Sequence, residues 1–105
     1  MMVPMIVRTW RGWTHAADAE AYESYLMSTG FPGYTATPGN KGVQFTRRDA
    51  GDRAEFFLIS LWESWDAVRA FAGEDPGKAV FYPEDEAYLV DRELTVDHYE
   101  VFASA

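Results

Sequence analysis

The sequence contains no cysteine and no long apolar run, and each absence excludes a class of protein. Without cysteine the chain has no disulfide, no thiolate nucleophile and no thiolate metal ligand. No stretch approaches the roughly eighteen apolar residues that a membrane-spanning helix needs. The first ten residues lack the basic region of a secretory signal and reach Arg8 too early for one. The sequence therefore predicts a cytoplasmic protein without a membrane partner.

Basic residues and histidines are also scarce. Nine Lys and Arg stand against 17 Asp and Glu, which gives a formal net charge of −8. A field of this sign repels phosphate backbones and anionic lipid, so we expect no nucleic-acid partner. The two histidines lie in none of the short helical spacings that bind metals, and only His98 and Glu100 could share a strand face. We therefore predict no metal site.

Apolar and aromatic residues are abundant for so short a chain. They make up 48% and 16% of the 105 residues, which correspond to one domain spanning residues 1–105. An apolar excess of this kind indicates a large pocket or a buried subunit interface.

Alternating and helical patterns predict an α+β protein of the order β-α-β-β-α-β, the ferredoxin-like unit with a four-stranded antiparallel sheet. Thr14 and Ser64 are predicted to cap the two helices, and Gly30 and Gly73 to end them. A turn-rich loop is predicted over 31–42, and one or two short helices between 74 and 91. The predicted strands are 5–13, 43–48, 54–62 and 92–103, and the predicted helices are 15–28 and 65–72.

The third predicted strand is apolar on both faces. Phe56, Leu58 and Trp62 point to one side, and Phe57 and Ile59 point to the other. Helices can cover one face of the sheet, and a second copy of the sheet is the natural cover for the other. We therefore predict a homodimer.

Five short motifs together resemble the antibiotic biosynthesis monooxygenase superfamily of dimeric α+β barrels. They are PGY at 32–34, LWES at 61–64, WDAVRAF at 65–71, FAGED at 71–75 and VDHYEV at 96–101. The resemblance covers almost the whole chain. It implies a ferredoxin-like subunit that dimerises sheet to sheet, with a pocket between the sheet and the helices. Several members of the superfamily oxygenate aromatic polyketides without metal, flavin or haem, and others degrade haem.

Aligned without gaps on LWES, the chain departs from the haem-degrading branch. Phe71 and Phe81 stand where that branch has its helix tryptophan and its axial histidine, and Arg8 or Thr9 stands in place of its asparagine. Of the residues associated with the polyketide oxygenases, only Trp62 is matched, at the end of the third strand.

His98 and Arg8 are the candidate catalytic residues. Imidazole titrates near neutral pH, which suits a general base, although a structural histidine in a strand is the alternative. Arg8 could hold an anionic oxygen of a substrate, or could instead be paired with a carboxylate from 84–91. The predicted pocket is lined by Trp10, Trp62, Phe81, Tyr82 and Tyr88, for which core packing is the alternative role.

These features favour a cofactor-independent, monooxygenase-like enzyme that acts on an aromatic, polyketide-like molecule in an apolar pocket. A non-catalytic dimeric protein that binds a small apolar ligand or has a stress-related role stays open as an alternative. A cyclase or isomerase on the same fold stays open as well, because it would use the same base.

Overall fold

The structure, a computed structural model, describes residues 4–79 and 84–105 of the chain. Within these ranges the order of elements is that of an α+β protein, as predicted. A short 3₁₀ turn, Ala16–Asp18, precedes the first helix. The strands are β1 (Ile6–His15), β2 (Asn40–Ala50), β3 (Arg53–Trp62), β4 (Leu89–Arg92) and β5 (Asp97–Glu100), and the helices are α1 (Ala19–Ser28), α2 (Gly30–Ala36), α3 (Trp65–Ala72) and α4 (Asp85–Tyr88).

The strands form one antiparallel sheet in the order β2-β3-β1, with β4 and β5 both paired to the far side of β1. This is the ferredoxin-like arrangement, so the predicted fold class is confirmed. The predicted last strand is, however, two pieces. Between them Val96 turns into the core and its N–H donates to the carbonyl of Gly77 at 2.9 Å. The alternating residues of 92–103 predict one continuous strand. The hydrogen bond from Val96 to Gly77, which is distant in sequence, divides it into two.

Three local predictions are wrong. Gly30 does not end the first helix, because α1 stops at Ser28 and Gly30 is the first residue of α2. The predicted loop 31–42 begins instead with α2, and β2 starts at Asn40. Pro32 lies in the first turn of that helix, where its missing N–H is tolerated, and the Tyr34 ring packs on Phe45 and Phe71. Thr14 does not cap α1, because it is buried within β1 and its hydroxyl donates to the carbonyl of His15.

Helix α3 begins and ends as predicted. The Ser64 hydroxyl accepts a hydrogen bond from the N–H of Ala67 at 3.2 Å, and Gly73 ends the helix with a φ of 87°. None of the described helices is long and apolar enough to cross a bilayer.

The helices cover one face of the sheet and bury two clusters of side chains against it. The large cluster holds nine buried residues: Trp10, Ala19, Tyr22, Tyr25, Leu26, Ala54, Phe56, Leu58 and Val96. The small cluster holds four, Ile6, Trp62, Ala67 and Val68, with Tyr34, Trp65 and Phe71 packed against it. The other face of the sheet, which we call the open face, carries the half-buried side chains of Val7, Phe57, Ile59 and Leu61.

Candidate functional site

Arg8 lies at the centre of the sheet, on the face that the helices cover. It is opposite Ser60 of β3 on one side and His98 of β5 on the other, and only 3% of it is exposed. Its Nη1 donates to the carbonyl of Pro76 at 2.7 Å and to Nε2 of His98 at 2.9 Å. Because a guanidinium has no acceptor, His98 must accept this bond and carry its own proton on Nδ1.

The guanidinium of Arg8 is only partly satisfied. Its Nε is buried and has no hydrogen-bond partner among the described residues, and within those residues Arg8 forms no ion pair. The predicted carboxylate partner from 84–91 is therefore not observed. Burial lowers the pKa of Arg8, and the nearby Tyr34 hydroxyl opposes that shift. A buried cation held by neutral groups alone is costly, so an anionic ligand would stabilise it.

His98 serves as an anchor for Arg8 in this arrangement. Its half-buried ring lies 5.0 Å from the Trp65 ring, centroid to centroid. Burial first and the positive charge of Arg8 second lower the pKa of His98, while Asp97 raises it. The lone pair on Nε2 is engaged by Arg8, so this geometry does not support the predicted role of His98 as a free general base.

A small, partly open cavity lies beside Arg8, between helices α1 and α2 and the sheet. Its volume of about 30 Å³ is enough for only a few water molecules. Apolar side chains make up most of the wall, with the polar groups of Arg8, Tyr22, Tyr34 and Asp85 among them. The described residues that line it are Arg8, Trp10, Tyr22, Leu26, Gly30, Tyr34, Leu58, Ala79, Asp85 and Val96.

Asp85 and Tyr22 meet at this cavity. Asp85, the first residue of α4, is 4% exposed, and the Tyr22 hydroxyl donates to its Oδ1 at 3.3 Å. Burial, and then the negative charge of Asp85, raise the pKa of Tyr22 far above its ordinary value. The phenol therefore stays protonated and keeps its hydrogen bond to the carboxyl group.

The predicted pocket residues separate into three groups. Trp10 lies in the cavity wall, and its Nε1 donates to the carbonyl of Glu93 at 2.6 Å. Trp62 and Tyr88 pack elsewhere, so neither is among the described lining residues. Phe81 and Tyr82 lie outside the described residues.

Trp62 is a core residue, and core packing was the alternative to its predicted role in lining the pocket. It is 0% exposed, so no part of it faces the cavity, and its Nε1 donates to the Ser60 hydroxyl at 2.8 Å. Its ring lies 5.2 Å from the Phe71 ring. Tyr88 is half-buried and packs against the large cluster, with ring centroids 5.6 Å from Tyr22 and 5.2 Å from Tyr25.

Three polar residues of the cavity were not predicted from the sequence. Tyr22 reads as part of the apolar stripe of α1, Tyr34 as part of a loop, and Asp85 as one carboxylate in an acidic run. No local pattern distinguishes Asp85 from its neighbours. The PGY motif that carries Tyr34 was the one available signal. Among the described residues, no three His, Asp or Glu side chains converge as metal ligands would.

No protein-family model and no curated protein matches the sequence. Solved structures do match its fold. Protein PA3566 from Pseudomonas aeruginosa is 18% identical, covers 98% of this chain and 99% of its own, and has a TM-score of 0.71. A Bacillus cereus protein provisionally assigned as an antibiotic biosynthesis monooxygenase is 13% identical, covers 97% of each chain and has a TM-score of 0.66.

A heme-degrading protein from Mycobacterium tuberculosis is similar over the same length. It is 19% identical, covers 97% of each chain and has a TM-score of 0.60. At these identities the likeness concerns the fold, whatever reaction each protein performs. The resemblance seen in the sequence motifs is thus confirmed at that level: the chain has the fold of the antibiotic biosynthesis monooxygenase-type proteins.

Proposed function

We propose that the chain is a monooxygenase-like enzyme that works without a bound cofactor on an aromatic, polyketide-like molecule. One observation carries the proposal: the buried guanidinium of Arg8, whose Nε–H has no hydrogen-bond partner among the described residues, lies in the wall of a mostly apolar cavity. A cation fixed in apolar surroundings stabilises an oxyanion far better than water does. The site is therefore suited to a substrate that becomes a phenolate or an enolate.

The chemistry would come from the substrate itself. Once it has lost a proton, an electron-rich carbanion or phenolate can give an electron to dioxygen without a metal or a flavin. The protein's part is to hold the anion against Arg8 and to exclude water. Pro76 and His98 support this by fixing the direction of Nη1. We propose His98 as a positioning residue for Arg8.

Among the described residues, no histidine is available to hold a haem group, because Nε2 of His98 already accepts the hydrogen bond from Arg8. The other histidine, His15, is exposed at the far end of β1. The proposal therefore follows the Bacillus cereus neighbour and not the heme-degrading neighbour from Mycobacterium tuberculosis.

The size of the cavity favours a second candidate, a non-catalytic protein. A pocket for a small organic ligand usually measures about 300–1,000 Å³, whereas this cavity measures about 30 Å³. An aromatic substrate must displace lining side chains in order to enter. If the cavity never opens to admit a ligand, the role of Arg8 is structural.

Oxygen consumption separates the two candidates. With anthrone as substrate, the wild-type protein should consume dioxygen, and Arg8→Met should lower turnover by about 10²–10³-fold because the oxyanion loses its cation. Arg8→Lys should recover part of the activity. Arg53→Met, on the exposed end of β3, is the matched control and should leave turnover unchanged. A folded Arg8→Met protein with wild-type turnover would exclude the enzyme proposal, as would a wild type that consumes no dioxygen.

The proposed enzyme is a homodimer that joins two open faces. Phe57, Ile59 and Leu61 alternate along β3 on that face and stay half-exposed in the single chain. Val7 lies beside Leu61, and Tyr99, on the other side of Val7, is 56% exposed. A second copy of the same face would remove this apolar surface from water.

A further inference from the structure

Phe102 is the most exposed large apolar side chain among the described residues. It is 100% exposed and follows the end of β5 by two residues. The backbone beside it is anchored, because the N–H of Val101 donates to the carbonyl of Met5 at 2.9 Å and so continues the pairing of β5 with β1. A single exposed apolar ring is common by itself. The place of Phe102 relative to the open face gives it a specific meaning.

A groove of about 360 Å³ lies on the open face, beside the edge strand β2. Its volume is within the range of about 300–1,000 Å³ that is usual for pockets that hold small organic molecules, so it has room for an aromatic ring. Val7, Ile59 and Leu61 supply apolar side chains to the wall, and Gly42 and Gln44 of β2 form the outer side. The groove therefore suits an apolar side chain that approaches from beyond β2.

Gly42 keeps this groove wide although its backbone does not require a glycine. Its φ is not positive, so the register shift between Asn40 and Gly42 does not itself need this residue type. A Cβ at this position would meet only the Cβ of Leu61, at 4.0 Å, which is an ordinary contact. A glycine inside a strand weakens the strand and often marks a place where another group approaches closely.

The open face has an apolar half and a charged half. Val7 and Leu61 lie towards the end at which β1 begins, whereas Arg11 and Glu55 lie towards the other end, with Nε and Oε2 3.6 Å apart. Two aligned sheets can be related by a two-fold axis along the strands or across them. An axis across the strands would bury the charged half of each copy against the apolar half of the other, which is costly. The axis along the strands is therefore favoured.

We infer that Phe102 of one copy binds in the open-face groove of a second copy. The inference rests on the proposed homodimer and specifies its geometry. Rotation about an axis along the strands exchanges the two edges of the sheet, so the β5 edge of one copy faces the β2 edge of the other. The same rotation keeps strand ends together, and Val101 lies at the same end of the sheet as Gly42 and Leu61. The segment after β5 thus reaches the partner's groove, and symmetry repeats the contact.

Sedimentation equilibrium over a range of protein concentrations tests this contact through the dissociation constant of the dimer. Phe102→Ser should raise that constant by about 10–10²-fold, because each dimer loses two buried rings. The variant should fold normally, since Phe102 is fully exposed in its own protomer. Met27→Ser is the matched control. It removes an apolar side chain that is 54% exposed on α1, away from the open face, and should leave the constant unchanged.

Gly42→Leu tests the groove without altering Phe102. The new side chain fits within its own protomer but fills the groove, so the dissociation constant should rise by about tenfold or more. Adding Phe102→Ser to Gly42→Leu should weaken the dimer little further, because both changes remove the same contact. Effects that multiply in the double variant would contradict the inference.

The absence of cysteine from the sequence allows the contact to be trapped. Gln44→Cys places a thiol at the groove, and Ala103→Cys places one next to Phe102. Under oxidising conditions a mixture of these two single variants should give a covalent dimer in non-reducing electrophoresis. Each variant alone should run as a single chain.

The outcomes separate this contact from the dimer itself. If wild type has the mass of one chain at every concentration, the proposed dimer and this inference fail together. If wild type is dimeric but Phe102→Ser has the same dissociation constant, or the mixed cysteine variants do not cross-link, the contact is wrong and the dimer stands. A mass that grows beyond two chains would overturn the closed two-fold arrangement.

Discussion

At the residue scale, the contact between Arg8 and His98 changes the role that can be inferred for His98. A lone histidine in a strand suggests a base, because its ordinary pKa lies near neutrality. The 2.9 Å bond from Nη1 of Arg8 takes up the nitrogen that a base would use. In this geometry His98 serves as an anchor for Arg8.

The pH dependence of stability should report on this contact. The pKa of His98 is lowered below its ordinary value of 6.5 in the folded protein. The unfolded chain therefore binds a proton first as the pH falls, and stability is lost between pH 6.5 and the lower folded pKa. In urea unfolding, His98→Gln should lose less stability than wild type between about pH 7 and pH 5. His15→Gln, at the exposed histidine, should follow wild type; an identical loss in His98→Gln would contradict the argument.

The two tryptophans at 62 and 65 should differ in what their removal costs. Trp62 is 0% exposed and bonded to Ser60, so Trp62→Ala should destabilise the fold by about 3–5 kcal/mol. Trp65 is half-buried beside His98, and Trp65→Ala should cost about 1–2 kcal/mol. Chemical denaturation of both variants measures the difference. Equal losses of unfolding free energy in the two variants would contradict the argument that the more buried ring contributes more to stability.

At the scale of elements, regular pattern and local chemistry predicted most of the fold. Strand β3 and helix α3 agree with their predicted bounds within one residue, because their alternation, cap and final glycine all act locally. Helix α2 and the break between β4 and β5 were missed. Both depend on partners distant in sequence, Phe71 for Tyr34 and Gly77 for Val96. The helix and strand propensities of individual residues contain no information about such distant partners.

Helix α3 should depend measurably on its cap. Ser64→Ala removes the acceptor for the N–H of Ala67 and should cost about 0.5–2 kcal/mol in thermal or urea unfolding. Ser64→Asp keeps an acceptor at the same position and should stay close to wild type. If Ser64→Ala were as stable as Ser64→Asp, the helix would not rely on this bond.

At the scale of the whole molecule, the open face is the surface through which the proposed dimer would form. Ile59→Glu places a charge in the middle of that face, where a dimer would have to bury it. Light scattering at micromolar concentration should give wild type twice the 11.9 kDa chain mass, and Ile59→Glu the chain mass alone. Met27→Glu, on the exposed side of α1, should remain dimeric. A wild-type protein with the mass of a single chain would exclude the dimer.

The sequence by itself determined the β-α-β-β-α-β framework, the face of each central strand and the family resemblance. Alternation, helical spacing and turn chemistry are local, so neighbouring residues are enough to specify them. Tertiary structure alone decided which polar groups share the cavity. Arg8, Tyr22, Tyr34 and Asp85 come from four separate elements, and only folding makes them neighbours. Their burial, and the bond that commits His98 to Arg8, exist only once the sheet has closed against its helices.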